Sequence, residues 1–192
     1  METRILLIGG SAGSINVLMQ VLPFIETDIS FPIVIVLHRK PHPQSALDDL
    51  LATSTQIPVL EAEDKTELEI GKIYLVPPDY HLLFENESII SLDASEKINY
   101  SRPSIDVTFE SAARVFGSKA CALLLSGGNG DGVEGLRNIS LHHGKIFVQD
   151  PLTAEVDYMP RKAVETLTEL VILPPKLMAK YINELKKLQN EQ

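Results

Sequence analysis

The glycine-rich turn at residues 9–13 is the part of the chain best suited to chemistry. It reads Gly-Gly-Ser-Ala-Gly, and it lies between the apolar run at 5–8 and a segment with apolar residues at helical spacing. A G-x-S-x-G pattern between a strand and a helix is typical of a serine nucleophile. Small neighbours permit a sharp turn, and the free N–H groups at a helix start can face a developing oxyanion. Ser11 is therefore a candidate nucleophile.

The same turn has other interpretations. A dinucleotide-binding loop needs G-x-G-x-x-G, but Ser11 occupies the position of its second glycine. A phosphate-binding P-loop needs a lysine, and none lies near. A plain strand-to-helix turn with a helix-capping serine fits the motif as well as a nucleophile does. The motif alone leaves these last two interpretations open.

A serine nucleophile needs a general base, and histidine is the commonest one. His38 directly follows the apolar run at 34–37, and ligands of open α/β sheets bind beyond the carboxyl ends of the strands. His42 lies farther along, between two prolines, His81 opens a hairpin, and the histidines at 142–143 close a helix. Position therefore favours His38, although a lone histidine at a strand end also fits a structural role.

Two aspartates follow apolar strands and are candidates to orient that base. Asp131 follows the run at 122–125 across a glycine-rich turn, which allows close backbone packing at the floor of a cleft. Asp150 precedes Pro151 and fits a turn former. Asp131 is the stronger candidate, with a helix N-cap as its alternative role. The order Ser11, His38, Asp131 differs from the Ser-Asp-His order of ordinary α/β-hydrolases.

The elements that must position these residues alternate between strands and helices. Continuous apolar runs indicate buried strands of a parallel sheet, and i, i+3, i+4 spacing indicates helices. We therefore predict an α/β fold with a doubly wound, mainly parallel sheet, helices on both faces and an antiparallel hairpin near one edge, which is a Rossmann-like three-layer sandwich. Strands are expected at 5–8, 33–37, within 57–64 and 71–78, and at 122–125 and 145–149; the hairpin at 81–92; and helices at 13–22, 46–51, 105–116, before 144, near 160 and in the C-terminal tail.

Composition excludes several classes of protein. Seventeen basic and 26 acidic residues among 192 give a formal charge of −9, which disfavours nucleic-acid binding and weakly disfavours docking on anionic lipid. A single cysteine, Cys121, lies in an apolar run and excludes a disulfide framework and a cysteine-based zinc cluster. No apolar stretch is long enough to span a membrane, and no signal peptide is evident. We expect a cytoplasmic protein with no cofactor, no metal and no membrane insertion.

Six segments together resemble the catalytic domain of the CheB-type chemotaxis protein-glutamate methylesterases. They occur in the family's order and cover nearly the whole chain, so we expect one methylesterase catalytic domain at 1–192. The segments are IGGSAGS, IVLH followed by prolines, KIYLVPPDYHLL, SRPSIDVTFESAA, LLLSGGNGDGVEGL and GKIFVQDPLTAEVDYMPRKAV. The resemblance implies a serine hydrolase that removes methyl esters from glutamate side chains of chemoreceptor helices and can also deamidate glutamines. It also implies a triad of Ser11, His38 and Asp131.

The resemblance extends to the oxyanion site, but with departures. It implies that backbone N–H groups near Ala12 hold the oxyanion. Family members commonly have threonine at position 12, glycine at 14 and methionine at 128, where this chain has Ala12, Ser14 and Gly128. The methionine of the family is thought to help shape the oxyanion site, so its absence at Gly128 bears on the rate more than on the reaction class. Arg102, in SRPS, is a candidate cleft residue with a surface ion pair as its alternative.

Two further expectations follow from the resemblance. Arg39 and Lys40 replace the usual apolar residue after the histidine, and they can meet acidic receptor helices or lie in a solvated loop. The match begins almost at Met1, so we expect no receiver domain in cis. Activity is then either controlled by a separate protein that acts in trans or constitutive. Two other hypotheses stay open: a catalytically weak module that binds receptors or signalling partners without useful turnover, and a nucleotide-binding protein.

Overall fold

The computed structural model describes residues 2–39 and 47–187. The strands in this part of the chain are β1 (Ile5–Gly10), β2 (Ile33–Leu37), β3 (Val59–Glu61), β4 (Ile73–Leu75), β5 (His81–Phe84), β6 (Ile90–Asp93), β7 (Ala120–Leu124), β8 (Lys145–Gln149) and β9 (Val171–Leu173). The helices are α1 (Ser14–Val21), α2 (Leu47–Ala52), α3 (Ile105–Phe116), α4 (Val133–Leu141), α5 (Tyr158–Thr166) and α6 (Pro175–Lys187). Short 3₁₀ turns occupy Leu22–Phe24, Gly117–Lys119 and Pro151–Thr153.

Parallel strands form the large sheet in the order β3-β4-β2-β1-β7-β8-β9. Alternate side chains of β1 point to opposite faces, as the two-residue period of a strand requires. Leu6 and Ile8 pack in the cluster formed with α1, α2 and α6, whereas Ile5 and Leu7 pack in the cluster formed with α3, α4 and α5. The predicted doubly wound α/β sandwich is therefore confirmed.

The carboxyl end of β1 is the place where the strand order reverses, because β2 lies on one side of it and β7 on the other. Gly10 pairs with Leu37 in β2, and Gly9 pairs with Leu124 in β7. Consequently Ser11 and His38 are each the first residue after the end of their strands, directly beyond the paired residues Gly10 and Leu37. Adjacent strands lie about 5 Å apart, so the register brings the two residues to neighbouring positions at a switch point typical of ligand sites.

Three elements differ from the expectations in detail. The hairpin forms, but β5 and β6 make a separate two-stranded sheet that packs on α3 instead of extending the large sheet. Strand β9 was not predicted, because its three residues carry too short an apolar pattern to separate from a loop. The third element is the C-terminal helix, for which the sequence predicts one apolar side made of Leu177, Tyr181, Leu185 and Leu188. Leu185 is buried and Tyr181 partly so, Leu177 is exposed, and Leu188 lies outside the described residues.

No helix in the described ranges has the length and apolar character needed to cross a lipid bilayer.

Helix α3 and helix α4 approach each other at Gly135. A Cβ atom there would lie 2.6 Å from Phe109 Cβ and 3.1 Å from Asp106 Cα. In an isolated helix alanine is more favourable than glycine by about 1 kcal/mol. Here the contact outweighs that preference, since α3 must shift to admit a methyl group. We expect Gly135→Ala to lower the free energy of unfolding by about 1–3 kcal/mol in urea titrations.

Glu134→Ala serves as the matched control for this variant. Glu134 is the preceding residue of α4, and its side chain points into solvent, where it pairs with Arg137. Its replacement should change the free energy of unfolding by no more than about 0.5 kcal/mol. Equal stability of the two variants would contradict the close packing of α3 on α4.

Candidate active site

A network of serine hydrogen bonds holds the turn that carries Ser11. The Ser11 N–H donates to Ser126 O and to Ser14 Oγ, both at 2.9 Å, and Ser14 Oγ donates to Ser126 O at 2.8 Å. Gly13 follows with a left-handed φ of 82° and leads into α1. Ser14 is fully buried, so the hydroxyl that replaces the family's glycine has a structural role. It ties the turn after β1 to the end of β7.

His38 and Asp131 meet across the sheet edge. His38 Nε2 lies 2.7 Å from Asp131 Oδ2, and the Asp131 side chain is fully buried. The His38 N–H donates to Gly10 O at 3.1 Å, which holds the histidine beside the turn. In the neutral imidazole a proton on Nε2 satisfies the carboxylate and leaves Nδ1 as the acceptor. His38 therefore has one ring nitrogen engaged by Asp131 and the other able to accept a proton.

Ser11 is close to this pair in the fold but is not bonded to it. Within residues 2–39 and 47–187, no hydrogen bond joins Ser11 Oγ to His38. Catalytic hydrogen bonds are often long or poorly aligned without substrate, so this arrangement is compatible with a nucleophile. Of the three predicted residues, His38 and Asp131 are thus in direct contact. Ser11 is placed beside His38 by the register of β1 and β2.

The Asp131 carboxylate sits at the N-terminus of α3. Oδ1 accepts from Ser104 Oγ at 2.9 Å and from the Asp106 N–H at 3.0 Å, while Oδ2 accepts from the Ile105 N–H at 2.7 Å. Burial by itself would raise the pKa of Asp131. The hydrogen bond from His38 and those from the backbone at Asp106 and Ile105 outweigh burial and hold this pKa below its ordinary value.

Asp131 was also a candidate N-cap for its own helix, and the structure gives it a different position. The N-cap of α4 is Gly132, which has no side-chain capping bond. Asp131 instead receives the first N–H groups of α3, where the helix dipole favours negative charge. Ser104 is the N-cap of α3, and its Oγ accepts a hydrogen bond from the Val107 N–H at 3.4 Å.

His81 supports this arrangement from the hairpin. The Ser104 N–H donates to His81 Nδ1 at 3.1 Å, and His81 Nε2 lies 3.0 Å from Glu96 O. An acceptor at Nδ1 and a carbonyl at Nε2 define the neutral tautomer with its proton on Nε2. His81 is thus buried as a structural histidine that orients Ser104, which in turn donates to Asp131.

Asp106 is a second carboxyl next to Asp131 and is only partly buried. Its Oδ1 accepts from the Gly132 N–H at 2.8 Å and from the Gly135 N–H at 2.7 Å, which clamps the start of α4 onto α3. Burial and the neighbouring Asp131 carboxylate raise the pKa of Asp106 to about 7, although the two N–H donors oppose this. The sequence did not predict that Ser104, Ile105 and Asp106 bond to Asp131, because these contacts exist only in the folded chain.

The turn after β7 lies against Ser11 and carries Gly128, one of the two candidate oxyanion donors. A Cβ atom at Gly127 would lie 3.1 Å from Ser11 Cβ and 2.5 Å from Met159 Cε, so only glycine fits there without displacement. The N–H groups of Ala12 and Gly128 donate to no residue within the described ranges. Two backbone donors therefore remain available on the turns that flank Ser11.

Arg102 lines an open cavity of about 300 Å³ together with His38. Its Nη1 donates to Ala94 O at 2.7 Å and to Ser95 O at 2.5 Å, and Nη2 lies 3.9 Å from Asp79 Oδ1. Arg102 thus lies beside His38 at this cavity, and its guanidinium mainly holds the backbone at 94–95. Ser11, Ala12 and Gly128 do not line this cavity.

The other residues singled out from the sequence have structural places. Cys121 is buried in β7, and burial raises the pKa of its thiol to about 12, which makes it unreactive. Asp150 caps the 3₁₀ turn Pro151–Thr153 by accepting from the Leu152 N–H.

In the described part of the chain no group of His, Cys, Asp and Glu side chains could hold a metal ion. Lys40 and His42 lie outside the described residues.

The carboxyl pair predicts a pH-dependent stability. The folded chain keeps the Asp106 proton up to about pH 7, whereas the unfolded carboxyl loses it near 3.8. Between these values the unfolded state binds fewer protons, so the stability contributed by Asp106 falls as the pH rises. Asp106→Asn keeps an acceptor oxygen for the two glycine N–H groups and cannot ionise. We expect the wild type to lose stability relative to this variant, by on the order of 1–3 kcal/mol, between about pH 4 and 8 in urea titrations. Parallel pH profiles for the two proteins would contradict the raised pKa.

Comparison with known proteins connects this geometry to a family. Residues 6–182 match the family model described as CheB methylesterase. A Leptospira interrogans relative, itself only provisionally named a protein-glutamate methylesterase/protein-glutamine glutaminase, is 39% identical over 192 residues, which is 100% of both chains. The Thermotoga maritima protein-glutamate methylesterase/protein-glutamine glutaminase is 32% identical over 174 residues, which cover 89% of this chain and 51% of that protein.

The likeness extends to three dimensions. The crystal structure of the Thermotoga maritima CheB methylesterase catalytic domain superposes with a TM-score of 0.90 at 31% identity, covering 96% of this chain and 100% of that one. The family model, the relatives and the superposition agree with the resemblance that the sequence motifs indicated. The chain belongs to the CheB methylesterase family.

Proposed function

We propose that this chain removes methyl esters from glutamate side chains of receptor-like helical proteins through a triad of Ser11, His38 and Asp131. The observation that carries the proposal is the 2.7 Å contact of His38 Nε2 with Asp131 Oδ2, at the end of the strand next to the one that leads into Ser11. Membership of the CheB methylesterase family supports the reaction class.

The first half-reaction forms an acyl-enzyme. Ser11 Oγ attacks the ester carbonyl carbon, and His38 Nδ1 accepts the hydroxyl proton. The buried Asp131 carboxylate stabilises the imidazolium through Nε2 and keeps the ring oriented. His38 then donates the proton to the methoxy oxygen as the carbon–oxygen bond breaks. Methanol leaves, and the glutamyl group stays on Ser11.

The second half-reaction releases the glutamate. Water attacks the glutamyl ester while His38 Nδ1 takes a proton from it, and this proton returns to Ser11 Oγ as the acyl bond breaks. Glutamine deamidation follows the same path with ammonia as the leaving group. Because both substrates give the same acyl-enzyme, we infer that the site can also act as a glutaminase.

Backbone donors would stabilise the charge that develops on the carbonyl oxygen. We assign this role to the N–H groups of Ala12 and Gly128, since both are without partners in the described chain and flank Ser11. Backbone donors already aimed at the oxyanion need no reorganisation during the reaction. Neither donor depends on a side chain, so alanine at 12 and glycine at 128 are compatible with turnover.

The proposed substrates are methylated cytoplasmic helices of chemoreceptor-like proteins, which places the enzyme in the cytoplasm. A formal charge of −9 gives no general affinity for nucleic acid. A separate regulatory protein that acts in trans stays a prediction of the sequence.

Replacing Ser11 tests the proposal. We expect Ser11→Ala to lower kcat for methanol release from a methylated receptor fragment by roughly a thousandfold or more, because no acyl-enzyme can form. Ser88→Ala, an exposed serine in the hairpin turn, is the matched control and should keep wild-type activity. Methanol release is followed from radiolabelled methyl esters. Equal release by Ser11→Ala and wild type would refute the triad, and no release by the wild type would favour a module that only binds receptors.

A further inference from the structure

A two-residue hairpin turn next to the active site has an unusual backbone. Ile98 and Ser101 exchange both backbone hydrogen bonds, with N···O distances of 3.2 and 2.9 Å. The residues between them, Asn99 and Tyr100, have left-handed φ values of 49° and 63°. Such turns ordinarily use Asn-Gly or Gly-Gly, because a side chain is strained in this left-handed conformation. Asn99 suits its position, whereas Tyr100 does not.

The tyrosine gains no packing in return. Tyr100 is 99% exposed and therefore leaves its whole ring in water. The turn itself is tied to α3, since Asn99 Nδ2 lies 3.5 Å from Asp106 Oδ2. A strained backbone that displays an aromatic ring to solvent does not stabilise the folded state. Outliers of this kind cluster at functional sites, which makes the position of the turn informative.

The turn stands at the cavity that holds His38. Tyr100 and Ser101 line this cavity of about 300 Å³ together with Lys97 and Arg102. Tyr100 and His38 line the same cavity, so a polypeptide segment that occupies it would meet both residues. Tyrosine combines a large apolar area with a polar tip and is enriched at recognition surfaces for that reason.

The charge on this cavity is positive, although the chain as a whole is acidic. Of its charged lining residues, Arg39 pairs with Glu61, and Arg102 is held by carbonyl groups with Asp79 nearby. Lys97 is exposed and forms no ion pair with any residue in the described ranges. An ammonium group left without a carboxylate beside the active site favours an anionic occupant.

We propose that Tyr100 and Lys97 form a substrate-recognition rim for an acidic helical segment that carries the glutamate ester. Tyr100 packs against the apolar side of the helix, and Lys97 pairs with a carboxylate about one turn from the ester, where i, i+3 and i, i+4 side chains are neighbours. The rim rests on the proposed function, because it defines which esters reach Ser11 and His38.

Two peptides and one small ester test the rim and the chemistry separately. Both peptides are helical and carry one glutamate γ-methyl ester. The flanking residues are glutamate in the acidic peptide and glutamine in the neutral one. Hydrolysis of p-nitrophenyl acetate by the wild type, absent in Ser11→Ala, tests the triad without the rim. Its absence in the wild type would overturn the proposed function, whereas the peptides bear on the rim.

Lys97→Gln should lower the ratio of kcat/KM for the acidic peptide to that for the neutral peptide by about five- to tenfold. The change should lie mainly in KM and should shrink at high salt, because a screened ion pair is lost. Lys180→Gln, on α6 and not among the lining residues of the cavity, is the matched control and should keep the wild-type ratio. An unchanged ratio in Lys97→Gln would overturn the assignment of Lys97.

Tyr100→Asn separates recognition from folding. Asparagine tolerates the left-handed backbone better than tyrosine, so the variant should unfold at a temperature equal to or above that of the wild type. We expect its kcat/KM to fall several-fold for both peptides, because both lose the aromatic contact. A variant with wild-type kcat/KM, whatever its stability, would show that Tyr100 takes no part in recognition.

Discussion

The buried carboxylate of Asp131 is the group on which the arrangement of the site depends. A carboxylate removed from water costs several kcal/mol unless charge-assisted hydrogen bonds replace its hydration. Asp131 has four donors: His38, Ser104 Oγ and the N–H groups of Ile105 and Asp106. Three of them come from the start of α3, so the helix must begin at this place for the carboxylate to be tolerated. The same bonds orient His38.

This dependence reaches elements far apart in the chain. Ser104 is oriented by His81 in the hairpin, and Asp106 ties α3 to α4 through Gly132 and Gly135. The hairpin therefore contributes to the site without contributing a strand to the large sheet. Placing two carboxyl groups together has a cost, which shows in the raised pKa of Asp106. The hydrogen bonds that hold Asp131 as a carboxylate therefore come with a neighbour, Asp106, whose ionised form is disfavoured.

The turns around Ser11 follow a similar logic. The departures from the family pattern at positions 12, 14 and 128 affect side chains, whereas the groups proposed to stabilise charge belong to the backbone. Ser14 even adds hydrogen bonds that a glycine could not make. Strain appears instead at Tyr100, outside the core, where the chain can carry an unfavourable backbone without disturbing packing. The core is thus regularly packed, and the strained backbone at Tyr100 lies at the surface beside the site, where strain is expected when it serves function.

The sequence by itself determined the α/β class, most strand and helix positions, and the candidates Ser11, His38 and Asp131. These follow from local signals, namely apolar runs, helical spacing, glycine-rich turns and polar residues just beyond strand ends. Strand β9 was not predicted, because three residues are too few to show the alternation of apolar and polar side chains that marks a strand. Only the tertiary structure decided that Asp131 faces the N-terminus of α3 and that Asp106 is the acidic neighbour of Asp131. It also decided that His81 is structural and that the hairpin is separate from the large sheet. The physical reason is that each of these depends on donors and acceptors distant in sequence, whose meeting is set by helix packing and strand register.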